Sequence, residues 1–263
     1  MGVNFAAATA VQSIGDGRYG ATVHDGWDIG GNANGGYLMA IAVRAMSEEI
    51  GRPPLTVTGH YLRPAPAGDC EIDVTTIRSG RRLATASATL SMGGKATLTL
   101  LATFGDQAPG GPSRQMEEPV ELPAWEDSAA PPPSTEGPKP ELMNRIDLRM
   151  HPDDSGFRDG QPSGRAEIRG WFALADAEPI DAIALMLAAD AFPPPVFNSG
   201  LPVAWAPTVE LTVHVRGVPA PGPLRCAFRS RFIHDGLLDE EGEIWDSTGT
   251  LVCQSRQLAL TPR

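Results

Sequence analysis

The sequence predicts an α+β protein made of two consecutive units of the same kind. Three observations point to this class. Each half of the chain reads as a strand, a helix and then four further strands. The strand-like runs alternate apolar and polar residues, which is typical of a sheet with one buried face. Between the halves, a segment rich in proline and glycine interrupts both patterns.

The first unit covers residues 1–105. A strand-like run, RYGATVHDGW, precedes a predicted helix over residues 35–50, in which Leu38, Ile41 and Ala45 recur at roughly helical spacing. Four strand-like runs follow the helix, and they read LTVTGHYLRP, DCEIDVTTIR, RRLATASATLSM and KATLTLLATF.

The second unit covers residues 164–263. Its first strand, GRAEIRGWFAL, leads to a predicted helix over residues 180–192, with Ile183, Met186 and Leu187 on its apolar side. The strand-like runs after this helix are APTVELTVHVR, LRCAFRSRFI, LDEEGEIWDS and TLVCQSRQLAL.

Residues 106–163 separate the two units. Their many prolines and glycines are incompatible with a long helix or a central strand, so we expect a surface linker with one short helix near ELMNRI.

A long helix and about five antiparallel strands bury one another when the sheet wraps around the helix. This is the hotdog arrangement, and the pattern predicts it twice in one chain. A single unit leaves sheet edges open, whereas two units placed side by side cover them.

Composition excludes several classes of function. The net charge of −11 comes without the basic patch that nucleic-acid binding requires. The three cysteines, Cys70, Cys226 and Cys253, are far apart and lack a C-x-x-C spacing, so we expect neither a disulfide framework nor a metal site. The chain has no apolar run of the ~20 residues that a membrane span needs. Its N-terminal residues lack the features of a signal peptide, so a cytoplasmic location is expected.

Asp190 is the unusual residue of the second predicted helix. It lies four residues after Met186 and three after Leu187, so it falls on the apolar stripe. Burial and the nearby helix C-terminus would both raise its pKa and make it a better base. Two interpretations stay open at this point: Asp190 takes a proton from water, or it only ends the helix before the prolines that follow.

The chain resembles the acyl-CoA thioesterase II-like (TesB-like) family of double-hotdog proteins. The similarity covers nearly all of the chain outside the linker. It rests on the order and spacing of the segments NGGYLMAIAVRA, HYLRPAPAGD, RSGRRLATASATL, ALMLAADAF, WAPTVELTVHVR and GTLVCQSRQLAL.

The resemblance implies a metal-free hydrolysis in which an aspartate, a hydroxyl residue and a glutamine hold one water molecule. These roles fall on Asp190, Thr208 and Gln257. Where the family often has an aspartate and a histidine after the hydroxyl residue, this chain has Glu210 and Leu211. Alternative residues for the hydroxyl and the amide are Thr212 and Gln254.

The stretch NANGGYLM at the start of the first helix predicts a second part of the site. Free N–H groups at a helix N-terminus can stabilise the negative charge that forms on a thioester oxygen. Asn34 would cap the helix, and Gly35 and Gly36 would let the substrate approach. The alternative is that the two glycines only permit close packing. For the phosphates of coenzyme A, the arginine candidates are Arg63, Arg78, Arg81 and Arg82.

The function predicted from the sequence is hydrolysis of acyl-CoA thioesters without a cofactor, by a protein that forms homodimers as its relatives commonly do. One alternative is a hotdog module that binds acyl-CoA without catalysis. The other is a hydratase or dehydratase, which requires a histidine close to Asp190, and His214 is the only plausible one.

Overall fold

One large antiparallel sheet dominates the computed structural model of the chain, which describes residues 3–106, 113–128, 140–175 and 177–262. The elements of the first half are α1 (Phe5–Ala8), β1 (Val11–Gly15), β2 (Arg18–Val23), β3 (Asp28–Ile29), β4 (Asn32–Ala33), α2 (Gly35–Ile50), β5 (Pro54–Tyr61), β6 (Gly68–Ser79), β7 (Leu83–Met92) and β8 (Lys95–Gly105).

The second half repeats this order with shorter helical segments. Its elements are β9 (Ile146–Met150), β10 (Glu167–Leu174), α3 (Ala184–Ala188), β11 (Thr208–Val215), β12 (Leu224–Arg229), β13 (Ile233–His234), β14 (Leu237–Trp245) and β15 (Leu251–Leu260). Short 3-10 turns lie at Trp125–Asp127, Glu141–Asn144, Pro152–Asp154, Gly156–Asp159 and Pro195–Ser199.

The two halves join into one sheet through their equivalent strands. Within the described residues the strand order is β1-β2-β6-β7-β8-β5-β11-β15-β14-β12-β10-β9, with β13 paired to β14. Strands β5 and β11 meet at the centre, and on either side of them the order is related by a pseudo-twofold axis. In each half, the edge strand at the centre is covered by the equivalent strand of the other half. This arrangement confirms the α+β double hotdog that the sequence predicts.

Helix α2 is the central helix of the first half and matches the predicted range of 35–50. It begins where the side chain of Asn34 accepts a hydrogen bond from Tyr37 N, which satisfies one of the free N–H groups of the first turn. It ends at Gly51, which has a left-handed conformation. From Tyr37 to Val43 every residue of the helix is buried, because the sheet curves around it.

The helix predicted over residues 180–192 is wrong in extent, because only Ala184–Ala188 is α-helical. The side chain of Asp181 accepts hydrogen bonds from Ile183 N and Ala184 N, and so caps the first turn. At the other end Asp190 N bonds to Leu187 O, a tighter i to i+3 bond, and three consecutive prolines follow Phe192.

The predicted linker of residues 106–163 contains more structure than expected. Its strand β9 pairs with β10 at the outer edge of the sheet, so this part of the segment belongs to the sheet and is not only a surface linker, in keeping with the prediction that it forms no central strand. The short helix expected near ELMNRI is the 3-10 turn Glu141–Asn144. Residues 107–112 and 129–139 of this segment lie outside the described residues.

The described part of the chain also bears on the prediction that no segment spans a membrane. Its longest helix, α2, has 16 residues, and none of the described helices has the length and apolar character of a membrane span.

Candidate active site

The candidate site lies where the N-terminus of α2 meets the residues that follow α3. Asp190 Oδ2 accepts hydrogen bonds from Asn34 Nδ2 at 2.9 Å and from Gly36 N at 2.8 Å. Asn34 Nδ2 also donates to the main-chain oxygen of Asp190 at 2.7 Å. A carboxylate of the second half is thus held by the helix N-terminus of the first half, where the helix dipole favours negative charge.

The two glycines at the start of α2 make this contact possible. A Cβ atom on Gly36 would lie 2.3 Å from Met186 O and 2.9 Å from Asp190 Cβ. A Cβ atom on Gly35 would lie 3.0 Å from Asp190 Oδ2 and 3.1 Å from the ring of Tyr61. Only glycine lets the two helical segments approach this closely, so close packing accounts for the pair.

The environment of Asp190 sets its basicity. Burial raises its pKa to about 6, although hydrogen bonds from Gly36, Asn34 and Gly35 lower it in part. The sequence predicts that a helix C-terminus acts on this residue. In the structure the N-terminus of α2 acts on it too, and that end favours the charged form. Asp190 is therefore ionised at neutral pH and is a stronger base than an exposed aspartate.

The predicted oxyanion role of Gly35 and Gly36 requires correction. Gly36 N–H donates to Asp190, and the N–H of Gly35 faces the same carboxylate. Tyr37 N–H donates to the side chain of Asn34. The first N–H groups of α2 are therefore engaged by protein acceptors, and they hold the candidate base in place of a substrate oxygen. Asn34 caps the helix as predicted and also binds Asp190.

Thr208 and Gln257 meet on adjacent strands. Gln257 Nε2 donates to Thr208 Oγ1 at 3.0 Å. Strand β11 has a bulge between Thr208 and Glu210, which brings Thr208 opposite Ala259. Because Ala259 and Gln257 are two residues apart on β15, the bulge turns Thr208 to the face of the sheet that carries Gln257.

That face points towards the helices, and we call it the inner face. Gly59, Leu211 and Gln257 lie directly opposite one another on neighbouring strands, so they share a face. A Cβ atom on Gly59 would lie 2.8 Å from Met39 Cε of α2. Gln257 is 8% exposed, and its Oε1 atom is buried without a hydrogen-bond partner among the described residues. Such an atom is a ready acceptor for a water molecule.

The two alternative residues point the other way. Thr212 bonds to Thr58 Oγ1 at 2.8 Å and to Glu210, on the outer face of the central strands. Gln254 accepts a hydrogen bond from Arg216 at 3.1 Å on the same outer face. The structure therefore separates both from Asp190 by the thickness of the sheet.

Two further side chains of the site, Glu240 and Tyr61, are not among the residues predicted from the sequence. Glu240 lies opposite Gln257 on β14, and it is close enough to Asp190 for their charges to interact. Tyr61 donates to Gly35 O at 2.9 Å, and burial together with the charge of Asp190 raises its pKa well above the ordinary range. Glu240 is therefore a neighbour of both Gln257 and Asp190. The sequence does contain a signal for Glu240, because it stands at every second position together with Leu238, Gly242 and Ile244 and so shares one face of the strand with them.

Most of the arginines predicted for coenzyme A lie far from this site. Arg78, Arg81 and Arg82 are exposed around the turn between β6 and β7. Gly80 in that turn accepts a hydrogen bond from Arg52, which follows the C-terminus of α2. The turn is therefore at the opposite end of a 16-residue helix, about 24 Å from its N-terminus. Only Arg63, two residues after Tyr61, lies at the same end as Asp190, and it donates to Ala96 O.

His214 is not near Asp190. It lies opposite Gln254 and Thr56 in the central strands, on the outer face. A hydratase or dehydratase would need its ring beside Asp190, so the structure does not support that alternative.

Comparison with known proteins connects this geometry to a family. Residues 23–105 match the model of an acyl-CoA thioesterase N-terminal domain, and residues 119–261 match that of an acyl-CoA thioesterase C-terminal domain. A crystal structure of a candidate thioesterase II from Thermobifida fusca is 32% identical, with a TM-score of 0.90 over 98% of this chain and 97% of that one.

Two further relatives are more distant in sequence. A protein from Alicyclobacillus acidocaldarius, described as having a hot dog fold and unknown function, is 22% identical with a TM-score of 0.86 over 98% of each chain. An uncharacterized protein of Mycobacterium tuberculosis is 28% identical, covering 91% of this chain and 89% of its own length.

Proposed function

The chain belongs to the acyl-CoA thioesterase family, and on this premise we propose that it hydrolyses acyl-CoA thioesters through a water molecule held by Asp190, Thr208 and Gln257. The observation that carries the proposal is the pair formed by Thr208 and Gln257 on the inner face. The side-chain amide oxygen of Gln257 is buried and accepts no hydrogen bond from any described residue. Asp190, whose charge acts on Glu240 opposite Gln257, would supply the base.

Each residue has a distinct role towards the water. Gln257 Nε2 donates to Thr208 Oγ1, so the hydroxyl hydrogen of Thr208 is free to donate to the water. The water then donates one hydrogen to Gln257 Oε1 and the other to Asp190. Within the described residues Asp190 Oδ1 makes no hydrogen bond, whereas Oδ2 is held by Asn34 and Gly36. The remaining lone pair of the water faces the thioester carbon.

The reaction uses no covalent intermediate with the protein. Asp190 takes a proton from the water while the water oxygen bonds to the thioester carbon. The electron pair of the carbonyl double bond moves to the carbonyl oxygen. The C–S bond then breaks with its electron pair on sulfur, and Asp190 returns its proton to the thiolate. The acid loses its remaining proton to solvent, and the enzyme is restored.

The test is release of free coenzyme A from short, medium, long and aromatic acyl-CoA substrates. We expect turnover on at least one class well above the rate without protein. The predicted alternative, a module that binds acyl-CoA without catalysis, would give binding to an acyl-CoA in equilibrium dialysis but no release on any chain length. That outcome would contradict the proposal.

The activity should fall in acid as Asp190 becomes protonated. Because the pKa of Asp190 is about 6, we expect kcat/KM to be flat at neutral pH and to fall about tenfold per pH unit below the pKa. An acyl-pantetheine substrate should be used, since phosphate groups titrate in the same range. A midpoint near pH 4, the ordinary value for an aspartate, would show that burial does not raise the pKa of the base, and a profile without any fall in acid would show that Asp190 is not the base.

The cytoplasmic location, the homodimer and the absence of a cofactor stay predictions from the sequence.

A further inference from the structure

Glu240 is a buried acid that the proposed mechanism leaves without a role. It lies on the inner face of β14, directly opposite Gln257 of β15, and each side chain is 8% exposed. Opposite residues on antiparallel strands have Cβ atoms about 4.5–5.5 Å apart, so the carboxyl and the amide share one patch of surface. The next residues on this face of β14, Leu238 and Gly242, are buried as well.

The two acids of the site have different surroundings. Asp190 accepts hydrogen bonds from Asn34 and Gly36 at the positive end of α2. Glu240 makes no hydrogen bond and no ion pair with any described residue. The charges that act on it are those of Asp190, from the end of α3, and of its neighbour Asp239 on the opposite face of the strand, whose Oδ1 accepts from Arg231 N and Phe232 N.

These surroundings decide which acid is ionised. Two carboxyl groups close together in a protein interior do not both carry charge, and the one with more donors keeps it. Asp190 has the donors, so the proton resides on Glu240. In agreement, burial raises the pKa of Glu240 well above its usual range, and the charges of Asp190 and Asp239 raise it further.

A neutral carboxylic acid is a hydrogen-bond donor, and the site needs one. The N–H groups of Gly36 and Tyr37, the obvious candidates to stabilise the thioester oxygen, are engaged by Asp190 and Asn34. A carboxylic acid kept neutral in an apolar site can serve as an oxyanion donor. We propose that Glu240 is a catalytic residue that keeps its proton at neutral pH and donates a hydrogen bond to the carbonyl oxygen of the thioester as it becomes negative.

This inference rests on the proposed thioesterase function, and it adds no proton transfer to it. Glu240 donates a hydrogen bond throughout the reaction and retains its proton, while Asp190 alone exchanges one. The hydrogen bond strengthens as charge develops on oxygen, so the effect is expected in kcat more than in KM.

Two substitutions separate donation from mere packing. Glu240→Leu fills the position with an apolar side chain of similar size but removes the donor, so kcat should fall about 10²–10³-fold. Glu240→Gln retains an N–H donor, so kcat should stay within about tenfold of the native value. The native protein should lose activity as the pH rises through the raised pKa of Glu240, whereas the glutamine does not ionise and its variant should show no such fall.

The same two strands provide a matched control. Glu243 lies opposite Gln254 on the outer face, so Glu243→Gln makes the same chemical change at a Glu–Gln pair of the other surface. It should leave kcat and the pH profile unchanged. The proposal is overturned if Glu240→Leu folds normally and keeps native kcat, or if Glu240→Gln is as inactive as Glu240→Leu.

A readout without activity distinguishes failure of this inference from failure of the proposed function. The side-chain carboxyl carbon of Glu240 can be followed by NMR in protein carrying ¹³C-labelled glutamate, with Glu240→Gln identifying the signal. We expect the protonated chemical shift at pH 7, and an ionised Glu240 would overturn the proposal even in an active enzyme. A protein that releases no coenzyme A from any substrate, with Glu240 protonated, refutes the thioesterase function and with it the donor role.

Discussion

Replacing Asp190 with asparagine should lower kcat/KM for acyl-CoA hydrolysis by about 10²–10⁴-fold, the usual contribution of a general base. Asparagine is nearly the same shape, and its side-chain oxygen can still accept the hydrogen bond from Gly36 N. What is lost is the ability to take a proton from water. The measurement is coenzyme A release at pH 8, where native Asp190 is fully ionised.

The stability of this variant should distinguish lost chemistry from lost folding. Burial raises the pKa of Asp190 to about 6, which is above the pKa of an aspartate in an unfolded chain. The charge of Asp190 therefore opposes folding, and it does so fully at pH values above about 6. Asparagine has no charge, so we expect the thermal midpoint at pH 8 to be unchanged or higher. If Asp190→Asn is inactive and its thermal midpoint is lowered, unfolding would explain the loss of activity, and this prediction would be contradicted.

Asp181→Asn is the matched control, because Asp181 lies in the same segment and its Oδ1 also accepts main-chain hydrogen bonds. Its side chain is 49% exposed and pairs with Arg44 at 3.5 Å. Exposed pairs of this kind contribute ~1 kcal/mol or less, so this variant should remain active. Native activity in Asp190→Asn would sink the assignment of the base while leaving the family membership intact.

The sequence predicted the parts of the fold that local pattern determines. Helix α2 has a capping asparagine before it and Gly51 after it, and its predicted bounds agree with the structure. The second helix also has a capping residue, Asp181, but its predicted range began before that residue. Apolar spacing extended it to residue 192, although Asp181 and the prolines after Phe192 confine the α-helix to Ala184–Ala188. Periodicity identifies a buried face but not the ends of the element.

The family resemblance implied Thr208 and Gln257, whereas local pattern alone could identify a site residue only where that residue broke a pattern. Asp190 interrupted an apolar stripe and could be singled out. Glu240 also broke an apolar alternation, but it stands in the acidic run DEEGE, which reads as a solvated surface. The contact between Gly36 and Asp190 spans 154 residues, and no local pattern reports it. The glycines are therefore unusual in the sequence alone, but the sequence does not show that their N–H groups bind Asp190 and not a substrate oxygen.

Replacing Gly36 with alanine should give the largest loss of stability among single methyl additions at the start of α2. The new Cβ would lie 2.3 Å from Met186 O and 3.0 Å from Leu187 Cα, which are main-chain atoms that cannot rotate away. The two helical segments must separate, and overpacking of this kind costs about 1–3 kcal/mol and occasionally more. The higher helix propensity of alanine offsets at most ~1 kcal/mol. Urea unfolding followed by circular dichroism measures the difference.

The same displacement should reduce activity, because Gly36 N holds Asp190 Oδ2 at 2.8 Å. Gly20→Ala in β2 is the control, since its Cβ would have only Ile14 Cγ2 nearby, at 4.0 Å, and the free energy of unfolding should change by less than ~0.5 kcal/mol. Gly35→Ala tests the link between packing and chemistry. Its Cβ would meet side-chain atoms of Asp190 and Tyr61, which can move, so it should lose activity with a smaller loss of stability than Gly36→Ala. If Gly36→Ala proved as stable and as active as Gly20→Ala, the close approach of α2 to Asp190 would not be what holds the base.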